Sequence, residues 1–183
     1  LSTEKITHLS LVPTQLQRLL ETGKGPGLLQ KLELVLLGGA FQPSPILEKS
    51  KTLGLQVRTS YGCTEMASQI ATGNPKYLNG QWVASGLVLP HREVKLSDKG
   101  EILVRGKTRF LGYLNEKKKA EKPGFPGLDK PFDSNGWFAT GDLGEWYNNG
   151  EQQPWLRITG RKDTMFVTGG ENIHPEEIEA QIQ

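Results

Sequence analysis

With 183 residues the chain is long enough for one ordinary domain with a packed core, and 22 Lys+Arg against 20 Asp+Glu leave a formal charge of only +2. That balance argues against a nucleic-acid partner or an anionic membrane surface, since the densest basic run, Lys117-Lys118-Lys119, is flanked by Glu116 and Glu121 and reads as a solvated face. The single cysteine, Cys63, excludes an internal disulfide and suits a reducing, cytoplasmic setting, while the longest apolar runs, such as Leu34 to Leu37, are far too short to span a bilayer. No secretory signal pattern opens the chain. It starts at Leu1 rather than Met and stops at Gln183 inside a helix-like pattern, so both ends are expected to be cuts through a longer protein.

In chain order, Ile6 to Val12 reads as a buried strand. Pro13 suits the first turn of a helix that carries Leu16, Leu19 and Leu20 on one face. Leu32 to Leu37 is a second apolar strand, ended by Gly38-Gly39. Pro43 to Leu53 is helix-like, Gly54 can end it, and Leu55 to Thr59 is a third strand. Strand, helix, strand, helix, strand predicts an α/β layer with a parallel sheet over residues 1–79. From about Gly80 the runs shorten (Gln81 to Ala84, Glu93 to Leu96, Glu101 to Val104, Trp155 to Thr159), which predicts a β-rich part over residues 80–160, an antiparallel barrel or sandwich. A Gly/Pro-rich loop, Lys122 to Pro131, lies within it. Gly160-Arg161-Lys162-Asp163 marks a further change, and residues 161–183 read as a hinge and the start of a small α+β domain: a strand to Thr168, a turn at Gly169-Gly170, and a helix from Pro175 with Glu176 and Glu177 at its N-terminus.

Four places can carry chemistry. Gly38-Gly39-Ala40 ends a parallel strand, where backbone can approach a ligand closely, although a helix–sheet packing turn would read the same way. Tyr61-Gly62-Cys63-Thr64-Glu65 offers a ring face for a base, a tight turn, a hydroxyl for phosphate and a hard oxygen for Mg²⁺; a surface turn with a packed Tyr is the alternative. Cys63 within it reads as a small packed residue rather than a nucleophile. Thr140-Gly141-Asp142, at the end of the aromatic run Trp137-Phe138, holds an acid able to accept from both hydroxyls of a ribose, or simply to cap a turn. The fourth is the charged turn at Gly160-Arg161 with the Gly-rich hairpin after it. His8, His91 and His174 have no metal-site spacing.

Taken in order, these pieces resemble the adenylate-forming superfamily of acyl-CoA synthetases, peptide-synthetase adenylation domains and luciferases. The resemblance rests also on Gly100-Glu101-Ile102-x-Val104-Arg105-Gly106, Gly112-Tyr113-x-Asn115 and Gly169-Gly170-Glu171-Asn172-Ile173-x-Pro175, and it covers essentially the whole chain. Within the superfamily, Thr7-His8-x-Ser10-Leu11-Val12-Pro13 and Leu89-Pro90-His91-Arg92-Glu93-Val94 are most similar to the o-succinylbenzoate–CoA ligases of menaquinone biosynthesis, which usually carry Gly where His91 stands. His8 falls in the substrate-side motif, which allows it a pocket role or that of a satisfied buried histidine.

The resemblance implies a large-domain fragment followed by the start of a C-terminal domain, with ATP, Mg²⁺ and CoA as cofactor and co-substrates and o-succinylbenzoate as the acid. It implies that Gly38, Gly39 and Ala40 line the adenine edge, Tyr61 stacks on adenine, Thr64 binds phosphate and Glu65 holds Mg²⁺. Asp142 grips the ribose hydroxyls with help from Arg161, Asp163 is the hinge, and Gly169-Gly170 lines a tunnel for the CoA arm. Two family elements fall outside residues 1–183, the Ser/Thr/Gly-rich phosphate loop and the C-terminal catalytic Lys, so the segment alone is expected to be inactive. Ser60, where many relatives carry Gly, is a minor departure. A domain that loads a carrier protein, or a shortened non-catalytic module that binds nucleotide, are the competing readings.

Overall fold

The computed structural model describes residues 5–119, 127–148, 153–163, 166–168 and 171–173. The first part alternates as the sequence predicts. Strand β1 (His8–Leu11) is followed by α1 (Pro13–Glu21), a short α2 (Gly25–Leu29), β2 (Leu34–Leu37), α3 (Ser44–Thr52) and β3 (Val57–Cys63). Strands β1, β2 and β3 pair in parallel, with His8 opposite Leu34 and Val35 opposite Val57. Helix α1 begins on Pro13 because the first-turn N–H groups need no intrahelical partner, and Gln15 Oε1 accepts the Val12 N–H at 3.1 Å. Its Leu16 and Leu20 lie on one face, four residues apart, and are buried with Leu29, Val35, Leu37 and Leu47 in the core between helices and sheet.

Three details differ from the sequence reading. β1 is a sheet edge with its residues alternately exposed and half-buried, so it is not the fully buried strand that its apolar composition suggests. The five-residue α2 carries no amphipathic repeat long enough to announce itself. His8 is exposed, its Nδ1 2.8 Å from Thr7 Oγ1, so it is not a satisfied buried histidine.

The β-rich part comprises β4 (Ser68–Gly73), the hairpin β5 (Lys76–Leu78) and β6 (Gln81–Val83), then β7 (Ser85–Val88), β8 (Arg92–Leu96), β9 (Glu101–Gly106), the short pair β10 (Tyr113–Leu114) and β11 (Leu128–Asp129), β12 (Phe138–Tyr147) and β13 (Trp155–Arg161). Strands β14 (Phe166–Thr168) and β15 (Glu171–Ile173) then form the expected hairpin. Gly169, Gly170 and the helix predicted from Pro175 lie outside the described residues. Rather than standing apart as a barrel or sandwich, the antiparallel strands are hydrogen-bonded in series with the parallel layer, in the order β1-β2-β3-β4-β7-β13-β12-β9-β8. β4 makes the junction: it pairs antiparallel with both β3 and β7. A second core of Met66, Ile70, Ile102, Val104, Phe138 and Leu156 fills this half. Among the described residues no helix is long and apolar enough to cross a membrane.

Two irregularities place the site. β3 and β4 change register between Tyr61 and Gly62, where the chains come so close that a Cβ on Gly62 would sit 1.9 Å from the Ser68 carbonyl oxygen. On β12, Ala139 faces Leu103 and Leu143 faces Glu101, so four steps along β12 match two along β9, and Thr140-Gly141-Asp142 bows out of the ladder. The sequence reading ended the aromatic strand before Asp142. Instead, β12 continues through it, and Asp142 sits in the middle of the strand on this bow.

His91 occupies the turn between β7 and β8 at φ +66, a left-handed conformation that costs a side chain about 1–2 kcal/mol. That is the physical reason glycine suits this position. Relief of the backbone cost is partly offset by the greater freedom of an unfolded glycine. His91→Gly is therefore expected to leave stability unchanged or raise it by up to about 1 kcal/mol, whereas the β-branched His91→Val lowers it by at least about 1 kcal/mol. Denaturant midpoints at constant m-value check both; equal losses for the two variants would show that the His91 side chain itself is the stabilising group.

Candidate active site

The two bulges face a cleft of about 880 Å³ between the parallel layer and the antiparallel strands. Gly39, Ala40, Tyr61, Glu65, Asp142 and Arg161 all line it. Gly38 and Thr64 do not. Gly38 packs against Ser60, whose carbonyl oxygen would lie 3.0 Å from a Cβ there, and borders a separate small hollow at the ends of β1 and β2. Thr64 is exposed at the head of a single 3₁₀ turn, Thr64–Met66, where its carbonyl accepts the Ala67 N–H. The Gly-Gly-Ala turn is held from beneath, since Gly39 adopts φ +79 and the buried Gln42 donates its amide to the Ala40 carbonyl.

Asp142 is the centre of the polar wall. β12–β13 pairing sets Arg161 directly opposite it, and Arg161 Nη1 donates to Asp142 Oδ1 at 3.1 Å. From β3, 81 residues earlier, Tyr61 donates its hydroxyl to Asp142 Oδ2 at 2.7 Å. Thr140 supports the bow, accepting the Asp142 N–H at 3.1 Å and donating to the Ile102 carbonyl at 2.9 Å. Arg161 in turn grips Asp163 with Nε at 2.8 Å and Nη2 at 3.2 Å, so Tyr61, Asp142, Arg161 and Asp163 form one hydrogen-bonded chain.

Burial dominates the electrostatics here. It raises the Asp142 carboxyl above the ordinary carboxylate range, against the opposing pull of Tyr61 and Arg161. It also raises the Tyr61 phenol, with the Asp142 charge adding to the effect, so Tyr61 stays a donor at any physiological pH. Glu65 goes the other way. Burial pushes it up, but the Tyr113 hydroxyl, the backbone, the Cys63 thiol and the Arg161 charge together outweigh that and hold it below the ordinary value. Arg161 is held above its ordinary value by its bonds to Asp163 first and by the Asp142 charge second.

Sequence reasoning assigned no role to three residues on this wall. Tyr113 and Thr140 stood inside quoted motifs and could have been found there; Gln42 carried no signal beyond its place after the Gly-Gly-Ala turn. Among the described residues no group of three or more His, Cys, Asp or Glu is placed to hold a metal.

A cleft at the carboxyl ends of parallel strands, walled by a buried acid and a donor tyrosine, suits a nucleotide. A family model described as AMP-binding enzyme matches residues 1–114, and the chain belongs to that family. Among its relatives, the 2-succinylbenzoate–CoA ligase of Listeria monocytogenes is 36% identical over 182 residues, covering 100% of this chain and 36% of the relative. That of Bacillus subtilis is 34% identical over 188 residues, 97% of this chain and 35% of the relative. The o-succinylbenzoate coenzyme A synthetase of Bacillus subtilis, solved with ATP and magnesium ion, superposes with a TM-score of 0.72 at 33% identity over 96% of this chain and 36% of that one. Its complex with the acyl-adenylate intermediate OSB-AMP superposes with a TM-score of 0.70 at 33% identity, over 95% and 35%. The chain thus spans about a third of the length of these relatives.

Cys63, half-buried on the same wall, is not a nucleophile at neutral pH. Burial first and the Glu65 charge second push its thiol from 9.0 up to about 12. The folded state holds this proton more tightly than the unfolded chain does. The resulting stabilisation is therefore complete below pH 9.0 and disappears as the pH rises toward 12. At pH 8 an aromatic disulfide reagent is expected to label the one thiol at least about tenfold more slowly than free cysteine. Labelling at the free-cysteine rate in the folded protein would show an accessible thiolate.

Proposed function

We propose that this chain is the nucleotide-holding part of an ATP-dependent acid–CoA ligase that acts on o-succinylbenzoate, in menaquinone biosynthesis and in the cytoplasm. Its products are an acyl-adenylate with pyrophosphate, then the acyl-CoA with AMP. The observation that carries the reading is the Asp142 carboxylate, fixed between Tyr61 and Arg161 on the cleft wall. Each carboxylate oxygen has two lone pairs and takes one of these two donors, which leaves acceptor capacity for the two hydroxyls of a ribose. With the ribose there, the adenine reaches the Tyr61 ring and the backbone of Gly39 and Ala40, with Gly38 acting behind that turn.

The donor set fits Mg²⁺ carried in with a nucleotide: one ionised carboxylate, Glu65, faces the same cleft, and phosphate and water would supply the remaining oxygens. When bound, the ion neutralises charge developing on the phosphates. Glu65 would hold it, and the exposed Thr64 hydroxyl would bind phosphate as the nucleotide closes the cleft. In the second half-reaction the chain pivots at Asp163, and Gly169-Gly170 lines the path of the CoA arm. The whole-chain similarity to o-succinylbenzoate–CoA ligases supports this reading over a domain that loads a carrier protein, and over a module that only binds nucleotide.

In the complete protein, o-succinylbenzoate, ATP, Mg²⁺ and CoA together should yield o-succinylbenzoyl-CoA with one pyrophosphate per thioester. The 183-residue chain alone should release none. Thioester found only on a carrier protein, or nucleotide binding without acid-dependent pyrophosphate release, would sink the ligase reading. The hinge is tested by Asp163→Pro, which fixes φ near −65° at that position. Single-turnover acyl-adenylate formation should stay near the wild-type rate, while transfer to CoA falls at least about tenfold. An equal fall in both half-reactions would remove Asp163 as the pivot.

A further inference from the structure

The motif Gly112-Tyr113-x-Asn115 has no part in the nucleotide contacts proposed for Asp142, Tyr61 and the Gly-Gly-Ala turn. Tyr113 nevertheless lines the cleft, and its hydroxyl donates to Glu65 Oε1 at 2.6 Å, short for a hydrogen bond and charge-assisted. Glu65 is gripped a second time, since its carbonyl accepts the Phe110 N–H at 2.7 Å. The two donors belong to one built unit. The Tyr113 ring stands edge-on to Phe110 at 4.8 Å, and Phe110 packs edge-on against Phe132 and Phe138 at 5.5 Å each. Beyond Tyr113, β10 pairs with β11, and Asn115 donates to Asp129 Oδ2 at 2.7 Å, with Lys118 bonded to the other oxygen.

We propose that Tyr113 is a positioning residue for the metal–nucleotide complex: its hydroxyl fixes the Glu65 side chain in the rotamer that meets Mg²⁺ on the ATP phosphates. A glutamate on a one-turn 3₁₀ segment otherwise has its rotamers open, and freezing them at the moment of metal binding would weaken the complex. The phenol accomplishes this beforehand, from a strand pair anchored elsewhere in the chain. The proposal rests on Glu65 as the metal-facing carboxylate, so its test includes that residue.

The experiment uses the complete protein with Mn²⁺ in place of Mg²⁺, and reads by electron paramagnetic resonance the Mn²⁺ taken up in the presence of ATP. ATP affinity in EDTA is measured alongside. Tyr113→Phe keeps the ring on Phe110 and removes only the hydroxyl. It should weaken ATP-dependent Mn²⁺ uptake about tenfold, leave metal-free ATP affinity unchanged, and raise the Mg²⁺ concentration needed for half-maximal adenylation by a similar factor. Glu65→Gln should weaken uptake at least as much, and the double variant should be no worse than Glu65→Gln, because Tyr113 acts through that carboxylate. If Glu65→Gln weakens uptake but Tyr113→Phe does not, the positioning role is wrong and the metal assignment stands. If Glu65→Gln has no effect, the metal assignment falls and the positioning role falls with it. Additive losses, or lower metal-free ATP affinity in Tyr113→Phe, overturn the proposal by showing that Tyr113 acts on the nucleotide or the fold directly.

Discussion

A buried carboxylate has to be hydrogen-bonded, and Asp142 is the one on which this structure turns. Only 9% of its surface reaches solvent, so leaving it unpaired would cost several kcal/mol. Two long-range structures solve the problem together. The β3–β4 bulge brings the Tyr61 hydroxyl to it from the parallel layer, and β12–β13 pairing brings Arg161 from the antiparallel side. The contact therefore ties the two halves of the sheet across the cleft, at the end of the parallel strands, and requires both bulges to be where they are.

The same constraint separates the two acids of the site. Asp142 is carried up by burial, which its partners only partly oppose, while Glu65 is pulled below the ordinary range by its own ring of donors. The wall thus carries two carboxylates whose surroundings push them in opposite directions. Under the roles proposed above, Asp142 would meet ribose hydroxyls and Glu65 a cation, and the fold differentiates the two acids by placing each in different company. The Arg161–Asp163 pair contributes little to stability, because both side chains are half-exposed or more, and solvent screens exposed pairs to about 0–1 kcal/mol. Its value is directional: it orients the guanidinium that meets Asp142.

How much of the molecule the sequence made legible depends on range. The alternation of β1, α1, β2, α3 and β3 was readable because each apolar run ends in local punctuation: Pro13, Gly38-Gly39, Gly54. β4 and β7 were missed because their runs, Ser68–Gly73 and Ser85–Val88, are mixed in character and their burial comes from both flanking strands. Asp142 was found as a residue but misplaced in its strand, because a bow of two extra residues is defined by its partners on β9, 41 residues earlier at Glu101. Tyr61 and Asp142 were each singled out, but not as partners. Nothing in either motif states that the Tyr61 ring spends its hydroxyl on Asp142.

That bond bears on how the proposed nucleotide site and the proposed pivot would communicate. Lys162 donates its N–H to the Gly141 carbonyl at 2.8 Å and its ammonium to Glu101 at 3.0 Å, on the residue between Arg161 and Asp163. The turn at the end of β13 is therefore laced to the Thr140-Gly141-Asp142 bow by backbone, and to β9 by an ion pair whose acid is mostly buried. A ligand that draws on Asp142 must share it with Arg161, and any shift of the Arg161 guanidinium moves the group that holds Asp163. Such coupling would need no separate relay, because Asp142, Arg161 and Asp163 lie close together on two paired strands and the turn at their end. Backbone bonds hold Arg161 and Lys162 to the large sheet, so the pivot proposed at Asp163 directly follows a fixed segment.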